Sequence, residues 1–297
     1  MHAYSEHRKV EVYNDYYDRK REKPLGVKNA LDGISADSRE AFAPGVVTGF
    51  AKLDKAIRLS PGRLVVLGAR PGTGKTTLAT QIAVQVLQKS NQARVLYCSV
   101  EMDAAEIGLK ALSCLSGYNC IEPFENRDEE KIEHVYTQMT AHMHTLSRLE
   151  VLYGTSLRPI LDAVEYMKQD REFPIVLLIV DFITSIIPEG DFGTRSEAVG
   201  SVSRALKKLA KINKIPVLCC AQLNRGVASA KAPSMRDLRD SGEIEQDADS
   251  VMLLHRPKEE VGAMAGKVEI VIDKNRFGTM DSITLWPELD RHRFKEG

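Results

Sequence analysis

The 297-residue chain carries 41 lysines and arginines against 41 aspartates and glutamates, so its formal net charge is zero. Hydrophobic residues make up 43% and charged residues 28%, the make-up of an ordinary globular protein with a sizeable core. That balance excludes binding to nucleic acid through bulk positive charge, though a few placed cations can still carry phosphate contacts, and no apolar run nears the roughly eighteen residues needed to span a bilayer.

Residues 1–45 are rich in charge and tyrosine and poor in aliphatics. The polar start does not read as a secretory signal. "VEVYNDYYDRKREK" has too little apolar surface to fold alone. The segment is either a polar tail or a short helix, ended near Pro24, that docks on a neighbour through Val10, Val12, Tyr13, Tyr16 and Tyr17.

From about residue 46 the pattern alternates. Apolar, β-rich runs stand at 63–68, 94–99, 149–154, 174–182, 215–223 and 250–256, and helical stretches at 75–89, 103–116, 128–148, 157–170 and 195–213 fill most of the gaps. Near-continuously apolar strands separated by helices predict an α/β fold with a mostly parallel sheet covered on both faces. "KVEIVIDK" (267–274) and "SITLW" (282–286) add an antiparallel hairpin at one edge. The loop "GVASAKAPS" (226–234), full of small residues, follows the fifth strand and invites a functional role. The five cysteines form no C-x-x-C pair and no even set; Cys98, Cys219 and Cys220 fall in apolar runs and read as buried thiols of a reducing, cytoplasmic compartment.

"GARPGTGKTT" (68–77) carries the first chemistry. It fits the phosphate-binding pattern G-x-x-x-x-G-K-[ST] from Ala69 to Thr76, except that alanine replaces the first glycine. The strand before it and the helix after it are the context that pattern requires. Arg70, Pro71, Gly72, Thr73, Gly74, Lys75, Thr76 and Thr77 then form a nucleotide cradle, with backbone N–H groups on the β-phosphate. Lys75 reaches the β- and γ-phosphates, and the Thr76 hydroxyl takes Mg2+. Alanine at position 69 is a difficulty only if that residue needs a positive φ.

Polar residues at strand ends supply the rest. Asp181 ends the apolar run "VLLIVDF", where a carboxylate holds the magnesium shell on the carboxyl edge of the sheet. Glu101, just past the second strand, is placed to polarise an attacking water. Gln222 ends the fifth strand and can sense the γ-phosphate and pass its presence to the loop that follows. Taken singly, Asp181 also reads as a strand-end helix cap and Glu101 and Gln222 as ordinary strand termini; gathered on one sheet edge with the loop, they favour the functional reading.

Taken with these, "TGFAKLD" (48–54), "SVEM" (99–102), "IVDF" (179–182), "AQLNR" (221–225), "DLRDSGEIEQDADSVMLLHR" (237–256) and "IDKNRFG" (272–278) make residues 44–288 resemble the RecA-like motor domain of the DnaB-type replicative helicases. The long acidic block is the most specific of them, and alanine at position 69 is common in that family. The resemblance implies a hexameric ring that hydrolyses ATP with Mg2+, moves on single-stranded DNA and unwinds duplex during replication. It implies Glu101 as catalytic base, Asp181 as magnesium acid and Gln222 as γ-phosphate sensor. Lys274 and Arg276 match a basic pair that enters the neighbouring subunit's site. Arg239, Asp240 and Gly242 match a DNA-contacting loop, with Arg225 a further contact. Six copies of these few contacts reconcile DNA binding with zero net charge, and backbone contacts make it independent of base sequence. A helicase loader or primase is the implied partner.

The departures are few. Asp240 stands where the family usually has glutamate, "DFITSI" lacks a glutamine often found after the magnesium acid, and a usual glycine pair is reduced to "SPG" (60–62). The family's N-terminal collar domain, which recruits primase, has no counterpart before residue 45. Two other readings therefore stand beside the motor: a subunit that regulates or inhibits a full-length helicase, and a RecA-like ATPase that does not unwind.

Overall fold

The computed structural model describes residues 45–224, 232–238, 242–257 and 266–297. Its strands are β1 (Leu64–Ala69), β2 (Arg94–Ser99), β3 (Leu149–Tyr153), β4 (Ile175–Asp181), β5 (Val217–Gln222), β6 (Ser250–His255), β7 (Val268–Asn275), β8 (Ser282–Glu288) and β9 (Arg293–Glu296). The helices are α1 (Ala51–Ala56), α2 (Lys75–Lys89), α3 (Ala104–Ser116), α4 (Glu122–Glu125), α5 (Glu129–Ala141), α6 (Met143–Leu146), α7 (Leu157–Lys168), α8 (Arg195–Asn213) and α9 (Gly242–Asp247). All nine strands join one sheet in the order β3-β2-β4-β5-β1-β6-β7-β8-β9. The first six in that order run parallel and β7 and β8 add antiparallel pairings, as the apolar runs and the hairpin predicted, while β9 extends the antiparallel edge by one more strand.

Strand parity sorts the core into two layers. Val65, Leu67 and Ala69 of β1 pack on one face with Leu78, Ile82 and Val86 of α2. Leu64 and Val66 pack on the other with Leu161 and Val164 of α7 and Leu206 and Leu209 of α8. The same alternation puts Val95 and Tyr97 of β2, and Leu177 and Ile179 of β4, on the α2 face. Asp181 continues that series by two residues, so its side chain comes out under α2. Cys98 and Cys219 lie on the opposite face from Cys220. All five cysteines are buried and free, and no helix among the described residues is long and apolar enough to cross a membrane.

Helix ends are closed by side chains. Asp103 and Glu106 form a capping box at the start of α3, and Thr194 and Glu197 do so for α8. The end of α2 is closed from a distance. Arg148, 4% exposed, donates to the carbonyls of Leu87 and Ala93 at 3.0 Å each and to that of Ser90. One guanidinium thus meets carbonyls that a helix leaves orphaned at its C-terminus. This anchor also corrects one expectation. The single helix predicted for 128–148 is two, α5 and α6, because the chain breaks at His142 (φ −107°, ψ 9°) before Arg148 turns inward.

A C-terminal strap that the apolar pattern did not predict completes the α2 face. β9 contains one inward apolar residue, Phe294, 2% exposed. The Gln81 side chain on α2 grips the Phe294 backbone, donating to its carbonyl at 2.9 Å and accepting its N–H at 2.6 Å. The Glu296 carboxylate accepts the N–H groups of Ala51 (2.9 Å) and Lys52 (2.6 Å), satisfying the start of α1. Just before β9, His292 adopts a left-handed backbone (φ 46°) and its Nδ1 lies 3.5 Å from Lys110 Nζ. Burial first, then the Lys110 cation, pulls the His292 pKa from 6.5 down to about 4.

Two outcomes follow for the strap. Phe294→Ala should cost about 3–5 kcal/mol in urea unfolding, the usual loss for a buried phenylalanine. His292 stays neutral in the folded chain while the unfolded chain takes up the proton. Its contribution is therefore complete above pH 6.5 and is lost as pH falls toward 4. His292→Asn, which tolerates the left-handed backbone, should show a shallower loss of urea midpoint over that window than the parent chain.

Candidate functional site

The loop between β1 and α2 turns at the carboxyl edge of the sheet. Ala69 is the last residue of β1, 1% exposed, paired with Gln222 on β5 and Leu254 on β6. Its backbone is extended, so the missing first glycine removes nothing the strand needs. Positive φ is required further along, at Gly72 (75°) and Gly74 (102°). A Cβ on Gly74 would also stand 2.6 Å from the Phe294 ring. The strap thus backs the loop and holds it against the helix start, where unpaired N–H groups favour an anion.

Below the loop sits a buried carboxylate. Asp181 is 5% exposed at the end of β4. Its Oδ2 accepts from the Thr76 hydroxyl at 2.7 Å and from the Tyr97 phenol at 3.0 Å. Its Oδ1 lies 3.3 Å from Lys75 Nζ and accepts no hydrogen bond. The ammonium also rests 4.5 Å from the Phe182 ring centroid. Burial, then the Asp181 carboxylate, raises the Tyr97 pKa well above 10, so the phenol keeps its proton as donor. Cys220, buried beside the same carboxylate, is raised for the same two reasons in the same order.

The other predicted residues divide between the two edges. Glu101 is exposed two residues past β2, and the neighbouring Val100 N–H donates to the Asp181 carbonyl at 3.0 Å. Gln222, half-buried, lies beside Ala69 at the loop entrance. These two share the carboxyl edge with Lys75, Thr76 and Asp181. Lys274 and Arg276 do not. Asn275 pairs with Ser250, the first residue of β6, so the basic pair lies at the amino edge. A strand the length of β1 separates the edges by roughly 17–20 Å. Lys274 Nζ donates to the Glu245 carbonyl and Arg276 Nη2 to that of Gln246 at 3.1 Å. Burial and then Arg276 lower the Lys274 pKa. Gly242 opens α9 and is exposed. Arg225, Arg239 and Asp240, with most of the 226–234 loop, lie outside the described residues, as do the apolar contacts named for the N-terminal segment.

The amino edge has a buried carboxylate of its own. Asp249, 2% exposed, accepts the Leu64 N–H at 2.8 Å and an ion pair from Lys207 on α8, and its Oδ1 lies 3.9 Å from Arg276 Nη1. The final aspartate of the "DLRDSGEIEQDAD" block therefore ties the start of β1 to α8 and to the segment bearing Arg276. The sequence assigned it no role, because all three partners are remote in the chain.

In chemical terms the carboxyl edge offers an anion cradle, a cation at Lys75 and hard oxygens at Thr76 and Asp181. Among the described residues no cluster of three or more histidine, cysteine, aspartate or glutamate side chains could hold a metal alone. The unsatisfied Asp181 Oδ1 beside the Thr76 hydroxyl fits a cation such as Mg2+, which binds through one or two protein oxygens with phosphates supplying others.

Residues 45–296 match the model of the DnaB-like helicase C-terminal domain. The chain belongs to that family. A probable plasmid replicative DNA helicase of Chlamydia psittaci is 34% identical over 252 residues, covering 82% of this chain and 54% of the relative. The replicative DNA helicase DnaB of Leifsonia xyli subsp. xyli is 31% identical over 267 residues, covering 86% and 57%. The chain thus spans about half the length of these curated relatives. Among solved structures, one described as an ATPase domain superposes with a TM-score of 0.80 at 22% identity, covering 93% of this chain and all of that one. A structure of a DnaB-like replicative helicase and its interactions with primase gives 0.77 at 23%, covering 96% and 70%. The fold of this DnaB-like domain is the RecA-like P-loop architecture.

For the amino-edge node, Asp249→Ala should cost about 3–5 kcal/mol in urea unfolding, because Lys207 is left as an unpaired, largely buried charge. Adding Lys207→Met should recover part of that loss; a double variant as unstable as the single one would show that the ion pair is not what Asp249 contributes.

Proposed function

We propose that this chain is the ATP-hydrolysing motor of a DnaB-type replicative helicase, acting as a ring, most simply a hexamer, on single-stranded DNA. The observation that carries the reading is the division of the predicted residues between the sheet edges. Lys75, Thr76, Asp181, Glu101 and Gln222 gather at one edge, whereas Lys274 and Arg276 stand a strand length away at the other. Arg276 cannot reach its own cradle across that distance, and a head-to-tail ring brings the amino edge of one subunit to the carboxyl edge of the next.

In this reading the loop N–H groups and Lys75 bind the phosphates of ATP. Thr76 and Asp181 hold Mg2+, which when bound neutralises phosphate charge. Glu101 orients and deprotonates the attacking water. Gln222 couples the γ-phosphate to the 225–242 region, where Arg225, Arg239, Asp240 and Gly242 contact the DNA backbone without reading bases. A primase or loader is the partner class such a motor engages. The intact cradle and carboxylate argue against a purely inhibitory subunit, which has no need of them.

Turnover should be stimulated by single-stranded DNA and lost in Lys75→Ala. Arg276→Ala should still bind nucleotide yet lose about 10³–10⁵ in rate, the worth of an arginine acting on the transferred phosphoryl group. Mixing the two inactive variants should restore part of the activity, because a Lys75→Ala subunit still offers Arg276 to a neighbour with an intact cradle. A mixture as inactive as its components would refute action between subunits. Absence of DNA-stimulated turnover in the parent chain would refute the motor, and a strand-displacement assay separates unwinding from hydrolysis alone.

A further inference from the structure

Tyr97 is a neighbour of Asp181 that no sequence motif singled out. It is 0% exposed on β2, with its ring in the core and its hydroxyl 3.0 Å from Asp181 Oδ2. A phenylalanine would fill the same space without burying a polar atom. A buried hydroxyl is costly unless it has a partner, and the only partner it donates to among the described residues is this carboxylate.

The other groups on Asp181 have other work. Thr76 spends its hydroxyl on Asp181 Oδ2 and Lys75 sets its ammonium beside Oδ1. In the proposed function both turn to the bound nucleotide, Thr76 to the metal and Lys75 to the phosphates. The Cys220 thiol faces the carboxylate as well, but a thiol is a weak donor. Once nucleotide enters, the phenol is the only strong donor left to fix the plane of the Asp181 carboxylate. The register supports a fixed arrangement: β2 pairs directly with β4, Tyr97 opposite Ile179 and Ser99 opposite Asp181, so phenol and carboxylate are held by adjacent rigid strands.

We infer that Tyr97 is a positioning residue for the metal, holding Asp181 in the orientation that receives Mg2+ when Thr76 and Lys75 leave it for the nucleotide. This rests on the nucleotide-and-magnesium reading of the site. It deepens that reading by naming the group that keeps the carboxylate aimed during the exchange. The substitution Tyr97→Phe leaves Thr76 and Lys75 on Asp181 in the nucleotide-free protein, so the loss is confined to the loaded state.

The test uses the full chain with Mn2+ as the metal probe and a non-hydrolysable ATP analogue, with bound Mn2+ read by electron paramagnetic resonance. Tyr97→Phe should weaken Mn2+ binding about tenfold, the usual effect of removing a hydrogen bond behind a metal ligand, while analogue binding in EDTA stays unchanged. Thr80→Val serves as the packing control. Thr80 on α2 faces the same phenol and is not among the donors to Asp181, so this variant should bind Mn2+ like the parent. Unchanged Mn2+ affinity in Tyr97→Phe would overturn the inference. So would an equal loss in Thr80→Val, or loss of analogue binding in EDTA, because either makes Tyr97 a packing residue. A parent chain that binds analogue but no Mn2+ would sink the magnesium reading as well, an outcome distinct from the others.

Discussion

A carboxylate with 5% of its surface exposed must be surrounded by donors, and the arrangement of this domain follows from that demand at Asp181. The donors come from separate parts of the chain: Lys75 and Thr76 from the start of α2, and Tyr97 from β2. Bringing them to one point requires α2 to lie over β4 and β2 to pair with β4 in the observed register. The order β2-β4-β5-β1 in the middle of the sheet meets both conditions. The same geometry leaves one carboxylate oxygen unsatisfied beside a hydroxyl and an ammonium, a grouping suited to a cation and a phosphate chain.

Asp249 is the counterpart at the amino edge. It too is buried and held by a backbone N–H and a lysine. Whereas Asp181 sets its second oxygen 3.3 Å from the Lys75 ammonium, Asp249 turns its second oxygen toward Arg276, whose side chain is half exposed. The two carboxylates lie near opposite ends of the sheet, with β1 rising from the N–H that Asp249 holds and ending at the phosphate loop. Any shift of β1 along its axis therefore disturbs both edges together, a direct physical link between the loop after β1 and the segment that bears Arg276.

The C-terminal strap adds a constraint from outside the sheet. Phe294 presses on Gly74 while Gln81 grips its backbone from the same helix. The loop is thus enclosed between a core carboxylate and a core phenylalanine. Gly74 has two independent reasons to lack a side chain, its backbone angle and this contact.

Much of this was legible in one dimension. Apolar runs located all six parallel strands, because a strand buried on both faces is apolar at every position. The helices 75–89 and 195–213 were read with the ends they have, because amphipathic period and end signals are local chemistry. The glycine, lysine and threonine spacing located the loop between β1 and α2, because such a loop is a contiguous object. The short strand β9 escaped, since a single inward phenylalanine has no period. The break at His142 escaped because the Arg148 guanidinium that follows it serves a helix end some sixty residues earlier. Tyr97, Phe294 and Asp249 escaped for a related reason: their partners lie 84, 213 and 185 residues away. Periodicity and spacing report what neighbours along the chain can do for one another. Which buried polar atom meets which is set by the pairing of strands and the packing of helices on them, and only the folded chain brings those atoms within bonding distance.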